Sequence, residues 1–206
     1  MCIKKYKKFK AFYKRYGFYG IIRLSIDVLF SRFVFGKVRI IRRPFYMRGK
    51  KYIKIGESFT SGVGLRIDAF PIAEKICIEI GNNVQVNDYV HISAVDSVKI
   101  GNNVLVASKV FITDHNHGFY GLNNIHDNPN IPPLKRKLSY IPVEIGDNVW
   151  LGESVMVLPG VKIGKGSIIG AMSVVTKEIP SFCIAVGCPA AVIKKYDFTT
   201  NKWKKV

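Results

Sequence analysis

The chain has 206 residues, enough for one well-cored domain, and its 48% hydrophobic content excludes a disordered polymer. Lys and Arg number 32 against 14 Asp and Glu, a net charge of +18 that points to an anionic partner: nucleic acid, an anionic membrane surface, or an acidic substrate or cofactor. Four cysteines, Cys2, Cys77, Cys183 and Cys188, show neither C-x-x-C spacing nor a Cys/His array, which argues against a zinc site or disulfide framework and fits reduced thiols in a cytoplasmic protein.

Much of the basic excess lies before Lys54, in Lys4-Lys5, Lys7-Lys8, Lys14-Arg15, Arg42-Arg43 and Lys50-Lys51. Phe9, Phe12, Tyr13, Tyr16, Phe18 and Tyr19 are interleaved with these charges. The stretch from Gly17 to Gly36 is apolar, but Arg23, Asp27 and Arg32 interrupt it and no small-residue cleavage site follows, so neither a membrane span nor a signal peptide fits. Residues 1–50 therefore read as a basic, aromatic-rich helical region. Three roles stay open for it: contact with an anionic membrane, packing on the rest of the protein, or a solvated basic tail.

A period of six then dominates. From Ile145 the chain reads IGDNVW LGESVM VLPGVK IGKGSI IGAMSV VTKEIP, with Ile145, Leu151, Val157, Ile163, Ile169 and Val175 in one phase. The same phase runs from Ile80 to Ile92 and from Ile100 to Ile112, with a spacing of eight between Ile92 and Ile100 that reads as a two-residue insertion at one corner. A period of six matches neither a helix nor a simple hairpin sheet. It suits a coil of three short strands per turn, with aliphatic ladders pointing inward and small residues at the corners. The stretch from Ile53 to Phe70 reads as a first, irregular coil.

These hexads, with VWLG, VLPGV, IGAMSVVTK and the closing VGCPAAVIKKY, resemble the hexapeptide-repeat O-acetyltransferases. The likeness is to the maltose/galactoside acetyltransferase-like subgroup, which includes enzymes of capsule, exopolysaccharide and O-antigen biosynthesis. It covers roughly Ile53 to Tyr196 and implies an all-β fold, a left-handed parallel β-helix. The expected organisation is a helical region 1–50, a β-helix domain 51–196 with a loop excursion about 114–140, and a tail 197–206. The resemblance further implies acetyl-CoA as cosubstrate without a metal, a homotrimer with active sites between neighbours, and a cytoplasmic protein.

The chemistry is expected where the period fails. Between Ile112 and Ile145 an excursion opens with Thr113-Asp114-His115-Asn116-His117, and long loops of this kind are usually functional or disordered. Transfer of acetyl to a sugar hydroxyl needs a base, and neutral imidazole serves near pH 7. The resemblance selects His115 over His117 for that role. It also implies that Asn87, in VNDYV, binds the acceptor hydroxyl and assists the tetrahedral intermediate. Asp114 and Asn116 orient the base or the acceptor, or merely form the turn. His117 lines the acceptor pocket or orders the loop, and Tyr89 and Trp150 are further candidate acceptor contacts. His91 and His126 read as structural or solvated. By resemblance Ala107, Gly152 and Ala171 line the pantetheine groove, Thr176, Lys177 and Lys194 reach the nucleotide and its phosphates, and Trp150 forms a wall near the acetyl group. Relatives often carry Arg in the closing segment; this chain reads Ala190-Ala191-Val192-Ile193-Lys194, so Lys194 stands alone there. No cysteine adjoins His115, which favours direct attack over an acetyl-cysteine route.

The leading expectation is an O-acetyltransferase acting on a surface polysaccharide or its precursor. Acetyl transfer to an amine, as in an amino-sugar nucleotide or a xenobiotic, is the enzymatic alternative. A nucleic-acid or anionic-surface binding protein is the non-enzymatic one. No RRM, KH, helix-turn-helix or zinc-finger pattern accompanies the charge, so nucleic acid is not expected as a partner.

Overall fold

The computed structural model describes residues 2–206, with side chains from Lys10 onward. The readings placed on the side chains of Cys2, Lys4, Lys5, Lys7, Lys8 and Phe9 lie outside the described set. A helix over Cys2–Phe35 leads into a stack of coils, each made of three short strands that contribute to three parallel sheets.

The first sheet stacks Ile40–Ile41, Thr60–Ser61, Gln85–Val86, Leu105–Val106, Trp150–Leu151, Ile168–Ile169 and Cys183–Gly187 in parallel. The second stacks Tyr46–Arg48, Arg66–Ala69, His91–Ala94, Phe111–Thr113, Met156–Val157 and Val174–Val175. The third stacks Ile53–Ile55, Ile78–Ile80, Val98–Ile100, Val143–Ile145 and Lys162–Ile163. Each hexad leader points inward: Ile80, Val86, Ile92, Ile100, Val106, Ile112, Ile145, Leu151, Val157, Ile163, Ile169 and Val175 are all buried in one continuous core. This is the expected left-handed parallel β-helix.

The corners explain the glycine and asparagine content. The fourth hexad place has positive φ at Asn83, Asn103 and Asn148, a region that asparagine tolerates better than most residues. The third place forms a side-chain ladder between coils. Asn82 Oδ1 accepts from Glu57 N at 2.8 Å, Asn102 Oδ1 from Asn82 N at 2.8 Å, and Asp147 Oδ1 from Asn102 N at 2.6 Å. At this corner three successive coils thus each supply the hydrogen-bond acceptor that the preceding coil's amide needs.

Two boundaries are corrected. The first coil begins at Ile40, before the expected start at residue 51, because Ile40–Ile41 and Tyr46–Arg48 already pair into the first and second sheets. Basic residues interrupt the hexad pattern there and hide it. At the other end, residues 197–206 are no loose tail: Lys202–Lys205 pairs antiparallel with Ala190–Asp197, which itself pairs back on Cys183–Gly187.

The helix breaks at Gly17, whose φ of 64° and ψ of −179° are non-helical. Its second half docks on the first coil through polar groups. Ser31 Oγ accepts from Ile41 N at 2.8 Å, and Arg43 Nε donates to the buried Asp27 carboxylate at 2.7 Å. The opposite face stays open, with Tyr19, Ile22, Ile26, Leu29 and Phe33 exposed at three- and four-residue spacing. Among the described residues no helix is long and apolar enough to cross a membrane.

Candidate active site

The excursion after the second-sheet strand Phe111–Thr113 is more ordered than a loop. His115–His117 pairs antiparallel with Leu138–Tyr140, placing His115 opposite Tyr140 and His117 opposite Leu138. Beyond this stem Arg136 gathers the turn, donating to the Ile131 and Pro129 carbonyls and to the Tyr120 hydroxyl, which in turn donates to the His117 carbonyl. His115 therefore sits at the base of a two-stranded arm, where the coil would otherwise turn into the third sheet.

Asp114 is wholly buried. Its carboxylate accepts from the amides of Val95 at 3.0 Å, Asp96 at 2.8 Å and Ser97 at 2.8 Å, and from His115 Nδ1 at 2.8 Å. Burial alone pushes the Asp114 carboxyl up, but the hydrogen bonds from His115 and from the Asp96, Val95 and Ser97 amides outweigh it and bring the group below the usual carboxylate range. An ionised carboxylate only accepts, so His115 Nδ1 carries a proton, and in the neutral ring the lone pair then lies on Nε2. The Thr113 hydroxyl lies 3.2 Å from the same Nδ1. The arrangement fixes both the tautomer and the plane of a neutral imidazole.

The two-residue insertion after Ile92 supplies this support: Val95, Asp96 and Ser97 turn three successive amides toward one point, an anion-holding concavity. The expectation that Asp114 contacts the acceptor is corrected, because a fully buried carboxylate with its oxygens occupied cannot meet a ligand. Cys77, also buried nearby, is pushed up to about 11 by burial and then by the Asp114 charge, so it stays a thiol.

Most of the other candidates fall on two edges of the triangular prism. Asn87, Ala107, Gly152 and Ala171 occupy the edge between the first and second sheets. The stacking there is close: Ala107 N donates to Leu151 O at 2.9 Å, and a Cβ on Gly152 would lie 2.6 Å from Ala171 N. Tyr89, on the same edge, is exposed and lays its ring over Gly64. Trp150 is half-exposed on the outer face of the first sheet, flanked in register by Leu105 and Ile168. His115 lies on the edge between the second and third sheets, with exposed Thr176 and Lys177 two coils further along. Lys194 sits in the C-terminal hairpin, opposite Ile184 and Lys205. His117 is exposed on the arm, and so is His126. One chain thus brings His115 together with Asp114 and Thr113, and leaves Asn87 across the second sheet.

A cleft of about 130 Å³ opens beside the arm, lined by Asn116, Tyr120, Leu122, Tyr140, Ile141 and Pro159. A larger concavity, about 680 Å³, is elsewhere: the outer trough of the third sheet. Lys54, Glu79, Lys99, Glu144 and Lys162 alternate across it in register, and Glu178 follows beside Lys162. These charges answer one another within the chain, and no candidate catalytic group reaches the trough.

Comparison with known proteins agrees with this architecture. A family model described as bacterial transferase hexapeptide (six repeats) matches residues 142–177. The chain is 53% identical over 192 residues, 93% of its length and 96% of the relative's, to WbbJ of Escherichia coli (strain K12), whose name assigns it provisionally to lipopolysaccharide biosynthesis as an O-acetyl transferase. It is 35% identical over 147 residues to a Saccharomyces cerevisiae protein provisionally named an acetyltransferase, covering 69% of this chain and 73% of that one. Among solved structures, a variant of AntD, an N-acyltransferase from Bacillus cereus in complex with dTDP and coenzyme A, superposes with a TM-score of 0.64 at 19% identity, over 84% of this chain and 90% of that one, a likeness of fold. With its hexad core, its near full-length relative and its fold in agreement, the chain belongs to the hexapeptide-repeat acetyltransferases.

Proposed function

We propose that the protein transfers an acetyl group from acetyl-CoA to a hydroxyl of a sugar in a surface polysaccharide or its lipid-linked precursor, with His115 as general base. The observation that carries this reading is the Asp114–His115 pair: a buried, ionised carboxylate holds Nδ1–H and leaves Nε2 free to take a hydroxyl proton. The high identity to a relative named for O-acetyl transfer in lipopolysaccharide biosynthesis supports a sugar hydroxyl over an amine.

The residues expected to hold coenzyme A fit such a ligand. Ala107, Gly152 and Ala171 line up as small residues in successive coils along one edge, and a Cβ at Gly152 would strike the Ala171 backbone. Thr176 and Lys177 are exposed and able to donate to phosphate oxygens. When bound, the coenzyme supplies the acetyl thioester. This chain's own part is to hold the acceptor, orient the His115 ring through Asp114, and remove the hydroxyl proton at Nε2.

Asn87 and His115 lie on different edges, on either side of the second sheet, which supports a site completed by a neighbouring copy in a homotrimer. The N-terminal helix supports peripheral contact with an anionic membrane. Its open apolar face is accompanied by exposed Lys10, Lys14, Arg15, Arg23 and Arg32, and the first acidic residue of the chain, Asp27, is buried.

His115→Ala tests the proposal. Acetyl transfer, followed by thiol release and by the mass gain of the glycan, should fall about 10²–10⁴-fold while coenzyme A binding persists. Full activity in that variant overturns the assignment of the base.

A further inference from the structure

A second polar cluster lies on the second sheet, whose strand Phe111–Thr113 leads into Asp114 and His115, and has no part in the mechanism above. Asp68 is 2% exposed, although it projects from the outer face of the second sheet between inward-facing Ile67 and Ala69. Three groups cover it. Arg66 Nε donates to Oδ2 at 2.7 Å, His91 Nε2 lies 3.1 Å from the same oxygen, and Arg48 Nε lies 2.9 Å from Oδ1. The Arg48 contact is one of charge rather than alignment, since Oδ1 accepts no well-directed hydrogen bond. Both arginines approach the carboxylate through Nε, and among the described residues none of their four Nη nitrogens donates to a protein acceptor. Their side chains are 53% and 45% exposed.

The local charge does not cancel. Two guanidinium ions share one carboxylate, and burial holds the His91 pKa below its ordinary value, so the imidazole adds no charge to the balance. The His91 ring is packed instead against Phe111 at 5.1 Å. One positive charge remains, carried on two anchored forks, and planar guanidinium forks match phosphate oxygens in pairs.

The register fixes how far the strand that carries Asp68 stands from the one that leads to the base, with Arg48 one strand further out. Asp68 is paired with Ser93, and Ser93 with Thr113, the residue before Asp114–His115. Two strand spacings separate Asp68 from Thr113, about 10 Å. A pyranose ring carrying a diphosphate on its anomeric carbon bridges such a gap.

We infer that Arg48 and Arg66, held by Asp68, form a subsite for the diphosphate of an activated sugar acceptor, placing the sugar so that a ring hydroxyl meets His115. This deepens the proposed function and rests on its reading of the acceptor as a sugar. The surplus positive charge left by two arginines on one carboxylate favours the more highly charged diphosphate over a singly charged uronate.

The test is direct binding to the full chain, which needs no acetyl transfer. Inorganic pyrophosphate should bind saturably by calorimetry, more weakly as salt rises, and His115→Ala should bind it as well as the parent. Arg66→Gln should weaken binding about tenfold and Arg48→Gln with Arg66→Gln should abolish it, while Arg66→Lys, which keeps the charge without the fork, should retain part. Thermal melts of each variant separate lost binding from lost folding. UDP and farnesyl diphosphate, compared in the same way, distinguish a nucleotide carrier from a lipid one by which binds more tightly. Unchanged binding in the double variant overturns the inference. So does loss of binding in Lys177→Ala with both arginines intact, which would locate the pyrophosphate at the coenzyme's phosphate site, and so does binding of glucuronate without binding of pyrophosphate.

Discussion

His115 owes its orientation to a corner of the preceding coil. The amides of Val95, Asp96 and Ser97 hold Asp114, and Asp114 holds the imidazole, so removing the negative charge at Asp114 acts on catalysis through another side chain. Asp114→Asn keeps the volume but offers an amide that can donate to Nδ1, favouring the tautomer with the proton on Nε2. We expect kcat to fall about 10⁴-fold, near the effect of losing the orienting carboxylate in a serine-protease triad, with the KM for acetyl-CoA little changed. The same carboxyl sits below its usual range in the folded protein. Its contribution to stability is therefore fully present above the ordinary carboxylate pKa of about 4 and is lost as pH falls through the depressed folded value. Melting temperature against pH should show this acid loss in the parent and a flatter profile in Asp114→Asn. An equally steep profile in the variant would exclude Asp114 as its source.

The N-terminal helix shows how one element serves two surfaces. The face bearing Asp27 and Ser31 is tied to the first coil by the Arg43 ion pair and the Ile41 amide. The face bearing Ile22, Ile26, Leu29 and Phe33 is open, with Phe33 92% exposed. Such a stripe beside exposed cations has the form of an interfacial helix. The paired change Leu29→Glu with Phe33→Glu should weaken flotation with phosphatidylserine-containing vesicles at least tenfold and leave the melting temperature within a few degrees, since neither side chain is buried. Loss of folding, or unchanged flotation, would count against the membrane role. The excursion arm shows the opposite economy: Pro- and Asn-rich sequence reads as irregular, yet Arg136 and the pairing of His115–His117 with Leu138–Tyr140 hold it in one shape.

At the scale of the whole molecule, the division of candidates between two edges has a measurable consequence. If Asn87 of one copy serves with His115 of its neighbour, Asn87→Ala and His115→Ala are each inactive alone, but mixed oligomers regain function. On equal co-expression roughly a quarter of the interfaces carry both intact residues, and acetyl transfer should recover to about that fraction of the parent's. No recovery despite mixed assembly, confirmed by differently tagged copies, would confine the site to a single chain. The third-sheet trough, though larger than the cleft beside the arm, is a self-neutralising ladder of Lys54, Glu79, Lys99, Glu144, Lys162 and Glu178. Its regular alternation suits a solvated face better than a site.

How much of this was legible beforehand follows from the range of the forces involved. The hexad period alone determined the β-helix, its inward ladders and its corners, because each coil buries the same few side chains against the next and the pattern repeats locally in sequence. The period also located the segment Thr113 to His117, at the place where it fails, and the family resemblance singled out His115 within it. The start of the stack at Ile40 was hidden, since basic residues break the hexads there and only strand pairing across coils reveals them. The spacing of eight after Ile92 was visible as an insertion, but its purpose was not: a nest of backbone amides carries no side-chain signature, and its anion comes from a different coil. The same holds for Arg48, Asp68 and His91, which lie in successive coils far apart in sequence and become neighbours only through strand register. Local periodicity wrote the scaffold into the sequence. The partners of each charge were decided by stacking, which brings together residues that the period keeps apart.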